Sequence, residues 1–118
     1  MNVLQPRDAA LAARAVSLTR PASAVIADTH DARLVVFRLQ PGQEVPTHRN
    51  ASTVLLTVLE GRGVLTGEDD GKACEGECGP GTVVLYAPNE PHGMRALETE
   101  LLLLATITPR PGDRRAES

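Results

Sequence analysis

The chain is nearly without aromatic residues. Among 118 residues there is one phenylalanine, Phe37, one tyrosine, Tyr86, and no tryptophan. The core must therefore be built from Val, Leu, Ile and Ala, and recognition of sugars or bases by ring stacking has few candidates. Basic runs are missing as well. The formal charge is -3, which argues against nucleic acid and anionic membrane as partners. Two cysteines, Cys74 and Cys78, do not make a disulfide framework. The longest apolar stretch, Leu101 to Ile107, is far too short to span a bilayer. The N-terminus lacks the charged-then-apolar pattern of an export signal, so a cytoplasmic location is expected. The length suits one domain with one core.

What is present is short β-type runs separated by turns. Asp8 to Ala15 is alanine-rich and reads as a short helix with Asp8 as N-cap, docked through Leu4 and Leu11. Strands are expected at Ala24–Ala27, Arg33–Leu39, Val45–Asn50, Thr53–Glu60, Lys72–Cys78, Thr82–Tyr86, His92–Ala96 and Thr99–Thr108. Val64–Thr66 reads as a continuation of the Thr53–Glu60 strand, and Gly67–Gly71 as a hairpin loop. This is the pattern of an all-β sandwich or barrel, and closure would remove the exposed edges of so many short strands. The expected organisation is an N-terminal arm with a helix over 1–20, a β-barrel over 21–108 and a disordered polar tail over 109–118. Leu101 to Leu104 is apolar on both faces, which calls for cover from a second layer or a second subunit.

Two stretches repeat one design. Pro41-Gly42 leads through an extended run to His48 and Asn50, and Pro80-Gly81 leads to His92. Alternation along a strand puts His48 and Asn50 on one face, His92 and Met94 on another, and Val54 and Leu56 together on the strand between. If the histidines face inward, the interior is an apolar pocket with two imidazoles and one amide at its polar end. Tyr86 would pack at the barrel mouth. The other candidates read as structural: His30 in a polar turn, Asp69-Asp70 in a solvated turn, and Arg49 on the face opposite His48. Cys74 and Cys78, about 13 Å apart on an unbroken strand, are too far apart for a disulfide and read as small core residues.

These residues resemble the two motifs of the small single-domain cupins, RmlC-like double-stranded β-helix barrels, over residues 33–108. In the first motif, G-x5-H-x-H-x3-4-E-x6-G, Gly42, His48 and Gly61 match, while Asn50 stands at the second histidine and Val54 at the glutamate. In the second, G-x5-P-x-G-x2-H-x3-N, Gly81 and His92 match, while Ala87, Asn89 and Ala96 replace the proline, glycine and asparagine. The resemblance implies a jelly-roll-like barrel, commonly a homodimer, and a divalent metal held by three histidines and a glutamate. Only His48 and His92 remain of that set, with the Asn50 carbonyl as a candidate third ligand for a loosely held Zn, Fe, Mn or Ni ion. Glu44 shares parity with His48 but lies about 13 Å along the strand, and Glu60, Asp69 and Asp70 are no better placed.

Three readings stand side by side. One is a small-molecule-binding barrel whose pocket is built on His48, Asn50, Val54, Leu56, Tyr86, His92 and Met94. Another is a metal-dependent cupin enzyme of the dioxygenase or isomerase type, acting on a small organic substrate. The last is a structural barrel with a vestigial site. Catalytic residues are not assigned by any of these patterns.

Overall fold

Along Thr53–Glu60 every second side chain is buried: Val54, Leu56 and Val58 are sealed, while Thr53, Leu55 and Thr57 on the other face are half-buried. That alternation is what one layer of a two-layer β structure requires. The computed structural model describes residues 1–110. Their elements are α1 (Pro6–Ala12), β1 (Ala22–Asp28), β2 (Arg33–Leu39), β3 (Glu44–His48), β4 (Thr53–Glu60), β5 (Gly63–Asp69), β6 (Lys72–Cys78), β7 (Val83–Tyr86), β8 (His92–Ala96) and β9 (Leu101–Thr108). One sheet has the order β1-β2-β9-β4-β7 and the other β3-β8-β5-β6, and every pairing is antiparallel. The expected all-β class with a short leading helix is what the chain adopts. No helix among the described residues is long and apolar enough to cross a membrane.

The main core lies between the sheets. Leu39, Val54, Leu56, Val58, Leu101 and Leu103 meet Leu65, Met94 and Ala96 there. The outer face of the larger sheet carries a second cluster, Ala10, Val36 and Leu102, with Leu11 and Leu104 against it. The cover that β9 was expected to take from another layer or another subunit is supplied by α1 of the same chain. The helix is only seven residues long, so packing and not propensity holds it. Arg38 Nη1 donates to the Leu11 carbonyl at 2.8 Å and Arg7 pairs with Glu60 at 3.0 Å, tying both ends of the helix to the larger sheet.

Three local expectations are corrected. The helix starts two residues before Asp8: Gln5 is the N-cap, with no side-chain cap, and Pro6 takes the first turn, where a missing N–H costs nothing. Asp8 instead sits in the first turn, on the side favoured by the helix dipole. Val64–Thr66 does not continue β4. It belongs to β5 in the opposite sheet, because the chain turns at Gly61 with φ +88°. A Cβ there would come 1.9 Å from the Glu100 carbonyl oxygen, so only glycine lets the crossing chain pass. The β5–β6 hairpin turns on Asp70 and Gly71 alone, with φ +50° and +77°, as a two-residue turn of the I′ kind demands. β5 therefore runs on through Gly67 and Glu68.

Residues 108–110 are pinned down. Thr108 Oγ1 donates to the Asp31 carbonyl, Ser52 Oγ donates to the Pro109 carbonyl at 2.6 Å, and Arg110 pairs with Asp28 at 2.7 Å. The remainder of the expected disordered tail, 111–118, lies outside the described residues.

Candidate functional site

Strands β3 and β8 are neighbours, and their register sets His48 directly opposite His92. Pro46 falls on β3, an edge strand, where its missing N–H breaks no ladder bond, and the pairing shifts between Val45 and His48. The two ring centroids are 4.2 Å apart at an interplanar angle of 57°. Each ring is anchored in the same way. His48 Nδ1 lies 3.0 Å from the Pro46 carbonyl oxygen, and His92 Nδ1 lies 3.0 Å from the Glu90 carbonyl oxygen. A carbonyl only accepts, so both Nδ1 atoms carry the hydrogen. The Nε2 lone pair of each neutral ring is left as an acceptor.

The two imidazoles differ in environment. His48 is exposed, whereas His92 is 4% exposed. Burial pushes the His92 pKa below the ordinary value, and the neighbouring His48 adds to that push, against the opposing effect of the Glu90 carbonyl. His92 is thus a neutral ring at neutral pH. Tyr86 stacks on it with centroids 4.6 Å apart and planes 25° from parallel. The Tyr86 hydroxyl donates to the Thr66 carbonyl at 2.9 Å. Burial, followed by the negative charge of Glu90, pushes its pKa up to about 12, so it is a fixed donor and not an acid at neutral pH. Gly67 makes room for this arrangement: a Cβ there would come 3.1 Å from both Tyr86 Cε1 and Glu90 Oε2.

The loops after His48 and before His92 are tied to each other. Asn89 N–H donates to the Asn50 carbonyl at 2.7 Å, and Arg49 Nη1 donates to the Asn89 carbonyl at 2.8 Å. Asn89 has φ +66°. It stands where the second motif has glycine, and asparagine is among the few other residues that tolerate that conformation. The Asn50 side chain, the candidate third ligand, is occupied: its Oδ1 accepts from Ser52 N–H at 2.9 Å. Sequence reasoning missed Ser52, Arg49 and Glu90 as supports. Glu90 was the most legible of them, a carboxylate two residues before His92. Its side chain accepts from Ala87 and Glu68 N–H, joining the β7–β8 loop to β5.

The remaining predicted lining residues sit in the core. Val54, Leu56, Tyr86 and Met94 are 4%, 1%, 2% and 5% exposed. Val54 lies opposite Tyr86 in the β4–β7 register, so the position of the motif's glutamate holds an apolar side chain one strand from the Tyr86–His92 stack. Glu44 is exposed and paired across the sheet with Arg95, and Asp69 and Asp70 are in or beside the distal hairpin turn. Among the described residues no three His, Cys, Asp or Glu side chains come together to hold a metal ion. The donor set is two imidazoles, which does not fit a three- or four-ligand centre. Cys78 is buried, as expected for a small core residue, but Cys74 is exposed, because β6 is an edge strand covered only at its Cys78 end. Both are free thiols. His30 is exposed beyond the end of β1.

The cupin-domain family model matches residues 35–108, so the chain belongs to the cupin family. Solved structures carry the same double-stranded β-helix. A conserved double-stranded β-helix protein from Klebsiella pneumoniae superposes with a TM-score of 0.78 at 19% identity, covering 93% of this chain and 91% of that one. The TT1209 protein of Thermus thermophilus gives 0.77 at 24% identity, covering 94% and 100%. An RmlC-like cupin from Desulfovibrio desulfuricans gives 0.71 at 29% identity, covering 84% and 92%. No curated protein matches the sequence.

Proposed function

We propose that this cupin binds a small organic molecule at the His48–His92 pair, and that recognition runs through hydrogen bonds from the ligand to imidazole Nε2. The observation that carries this reading is the double anchoring of the rings: both Nδ1–H groups are committed to backbone carbonyls, which leaves two adjacent acceptors in fixed orientations. A ligand with one or two hydroxyl or amide donors suits such a pair. Val54, Asn50 and Tyr86 then shape the site without taking part in chemistry.

A second reading has one specific support. An imidazole whose Nδ1–H is held by a carbonyl is oriented as metal-ligating histidines usually are. The pair could accept a labile divalent ion, Zn, Fe, Mn or Ni, with water completing its shell. Val54 and the occupied Asn50 leave it short of a catalytic centre, so no reaction step is assigned to it.

The test is imidazole 15N NMR on protein purified without a nickel column, during titration with small polyhydroxy and amide compounds, alongside metal analysis. Shifts at Nε2 of both histidines, lost in His48→Ala and His92→Ala, are expected. Stoichiometric metal in the purified protein that is lost in both variants would replace the first reading with the second. Compounds that bind without moving either Nε2 would overturn both.

A further inference from the structure

At the end of the barrel where the histidines lie, the larger sheet closes in a row that contains a cation. Asp28, Arg33, Ile107, Val54 and Tyr86 are successive cross-strand partners from β1 to β7. Partners across a ladder share a face. Val54 and Tyr86 are buried in the core between the sheets, so Arg33 is on the inner face. Alternation along β2 agrees, since Leu39 belongs to that core and Phe37 packs against it. β2 and β3 lead into and out of the turn at Gly42, lie in opposite sheets and face each other, with Phe37 and Val45 lining one concavity. Arg33 is about 13 Å along β2 from Phe37, and His48 about 10 Å along β3 from Val45, both away from that turn. The two residues thus come out at the same end of the barrel, one from each sheet.

Arg33 has donors to spare there. Its Nη2 pairs with Asp28 Oδ2 at 3.1 Å, but its Nε is buried and has no partner among the described residues. A buried N–H without an acceptor is costly, more so on a charged group. Asp28 is itself shared, because Arg110 Nε reaches its other oxygen at 2.7 Å. The Arg33 side chain as a whole is 28% exposed, so the guanidinium borders solvent at the barrel mouth.

We propose that Arg33 is a second anchor of the histidine site, and that the molecule held there is a small hydroxycarboxylic acid. The assignment rests on the His48–His92 pair binding its ligand through Nε2. A hydroxyl of the ligand donates to imidazole, and its carboxylate accepts from the Arg33 guanidinium. Packed sheets stand about 10 Å apart, and an imidazole and a guanidinium reach into that gap from opposite sides, so a short carbon chain spans it. Ile107 and Val54, between Arg33 and Tyr86 in the row, give it an apolar floor. Two imidazole acceptors do not select the charge of a ligand, whereas an under-used guanidinium favours a carboxylate over a neutral group.

The probes are 2-, 3- and 4-hydroxybutyrate, which vary the spacing of hydroxyl from carboxylate, with 1,3-butanediol and butyrate as comparators at constant ionic strength. Binding is followed by 15N NMR at Nε2 of both imidazoles and at Arg33 Nε–H, so the parent protein alone suffices. At least one hydroxybutyrate should move all three signals and bind about tenfold more tightly than the diol, the scale of a hydrogen bond to a charged group. Butyrate, without the hydroxyl, should bind more weakly than that acid. In Arg33→Met, which keeps the stem and leaves Asp28 its bond to Arg110, the preference for acid over diol should vanish while the imidazole shifts persist. Thermal melting checks that this variant is folded. With the imidazoles shifting, an Arg33 Nε–H that no acid moves, equal affinity for acid and diol, or an unchanged preference in folded Arg33→Met would overturn the assignment and leave the histidine site standing. Shifts at Arg33 Nε–H alone would overturn the histidine site, and the shared site with it. Silence at all three signals with every acid would overturn the assignment too.

Discussion

The His48 and His92 rings lie 4.2 Å apart, one exposed and the other 4% exposed. The consequence is that the buried imidazole of the pair resists protonation. Cross-strand register puts them together; burial makes them unequal.

Acid should therefore destabilise the fold partly through His92. Its folded pKa is below the ordinary value of about 6.5, so between those two values the unfolded chain holds a proton that the native one does not. Stability is full above about pH 6.5 and declines as the pH falls from there toward the folded value, by at most about 1.4 kcal/mol per pH unit for one proton. His92→Phe keeps a ring against Tyr86 and removes the titration. Urea unfolding at several pH values should show a shallower acid decline in the variant than in the parent. Parallel slopes in the two proteins would remove His92 from the account.

The second expectation concerns the missing carboxylate. Val54 lies opposite Tyr86, which stacks on His92, so Val54→Glu would place an acid beside the two imidazoles and complete a two-histidine, one-carboxylate set. Without metal the variant should lose about 3 kcal/mol, because Val54 is 4% exposed and the new group is desolvated. With divalent metal at a hundredfold excess over its dissociation constant, about 2.7 kcal/mol should return. Equilibrium dialysis should find close to one ion per variant chain and substantially less in the parent. Equal uptake by both proteins would show that the carboxylate position does not control binding.

Much of this arrangement was legible in the sequence, for physical reasons. Gly42, Gly61 and Gly81 all have positive φ, so the turns that aim β3, β5 and β7 leave a compositional mark. His48 and His92 follow those turns at fixed spacing. What was not legible depends on partners distant in sequence. Nothing in Val64–Thr66 says that the strand changes sheet, because inward alternation looks the same in either layer; the deciding contact is between Gly61 and Glu100. Leu102 and Leu104 looked uncovered because a helix of seven residues is a weak signal. Asn50 looked available because its bond to Ser52 N–H is a feature of the folded loop.

Asn89 offers a direct check on how the loops hold the pair. Its contacts to Asn50 and Arg49 run through its backbone, and its φ is +66°. Asn89→Gly should be tolerated within about 0.5 kcal/mol, since glycine adopts that conformation freely. Asn89→Val should cost about 1–2 kcal/mol and broaden the imidazole NMR signals of both histidines as the loops loosen. Comparable stability of the two variants by chemical denaturation would mean that the left-handed conformation at 89 is not held in solution.

Tyr86 is the clearest probe of the interior, because the chain has one tyrosine and no tryptophan. Tyrosinate absorbance therefore reports on Tyr86 alone. Burial and the Glu90 charge raise its pKa to about 12, so the native protein should titrate about two units above free tyrosine. The sign for stability follows. A phenol kept neutral by the fold contributes fully below about pH 10, and that contribution is lost as the pH climbs through 10 toward the folded value. Tyr86→Phe should remove this alkaline decline. It should also cost about 1 kcal/mol at neutral pH, as the hydrogen bond to the Thr66 carbonyl is lost, while the ring keeps its stack on His92. Absorbance and circular dichroism recorded together separate titration from unfolding. A midpoint near 10 with native dichroism would show the hydroxyl to be in contact with water, and would break the link from Thr66 through Tyr86 to the buried imidazole.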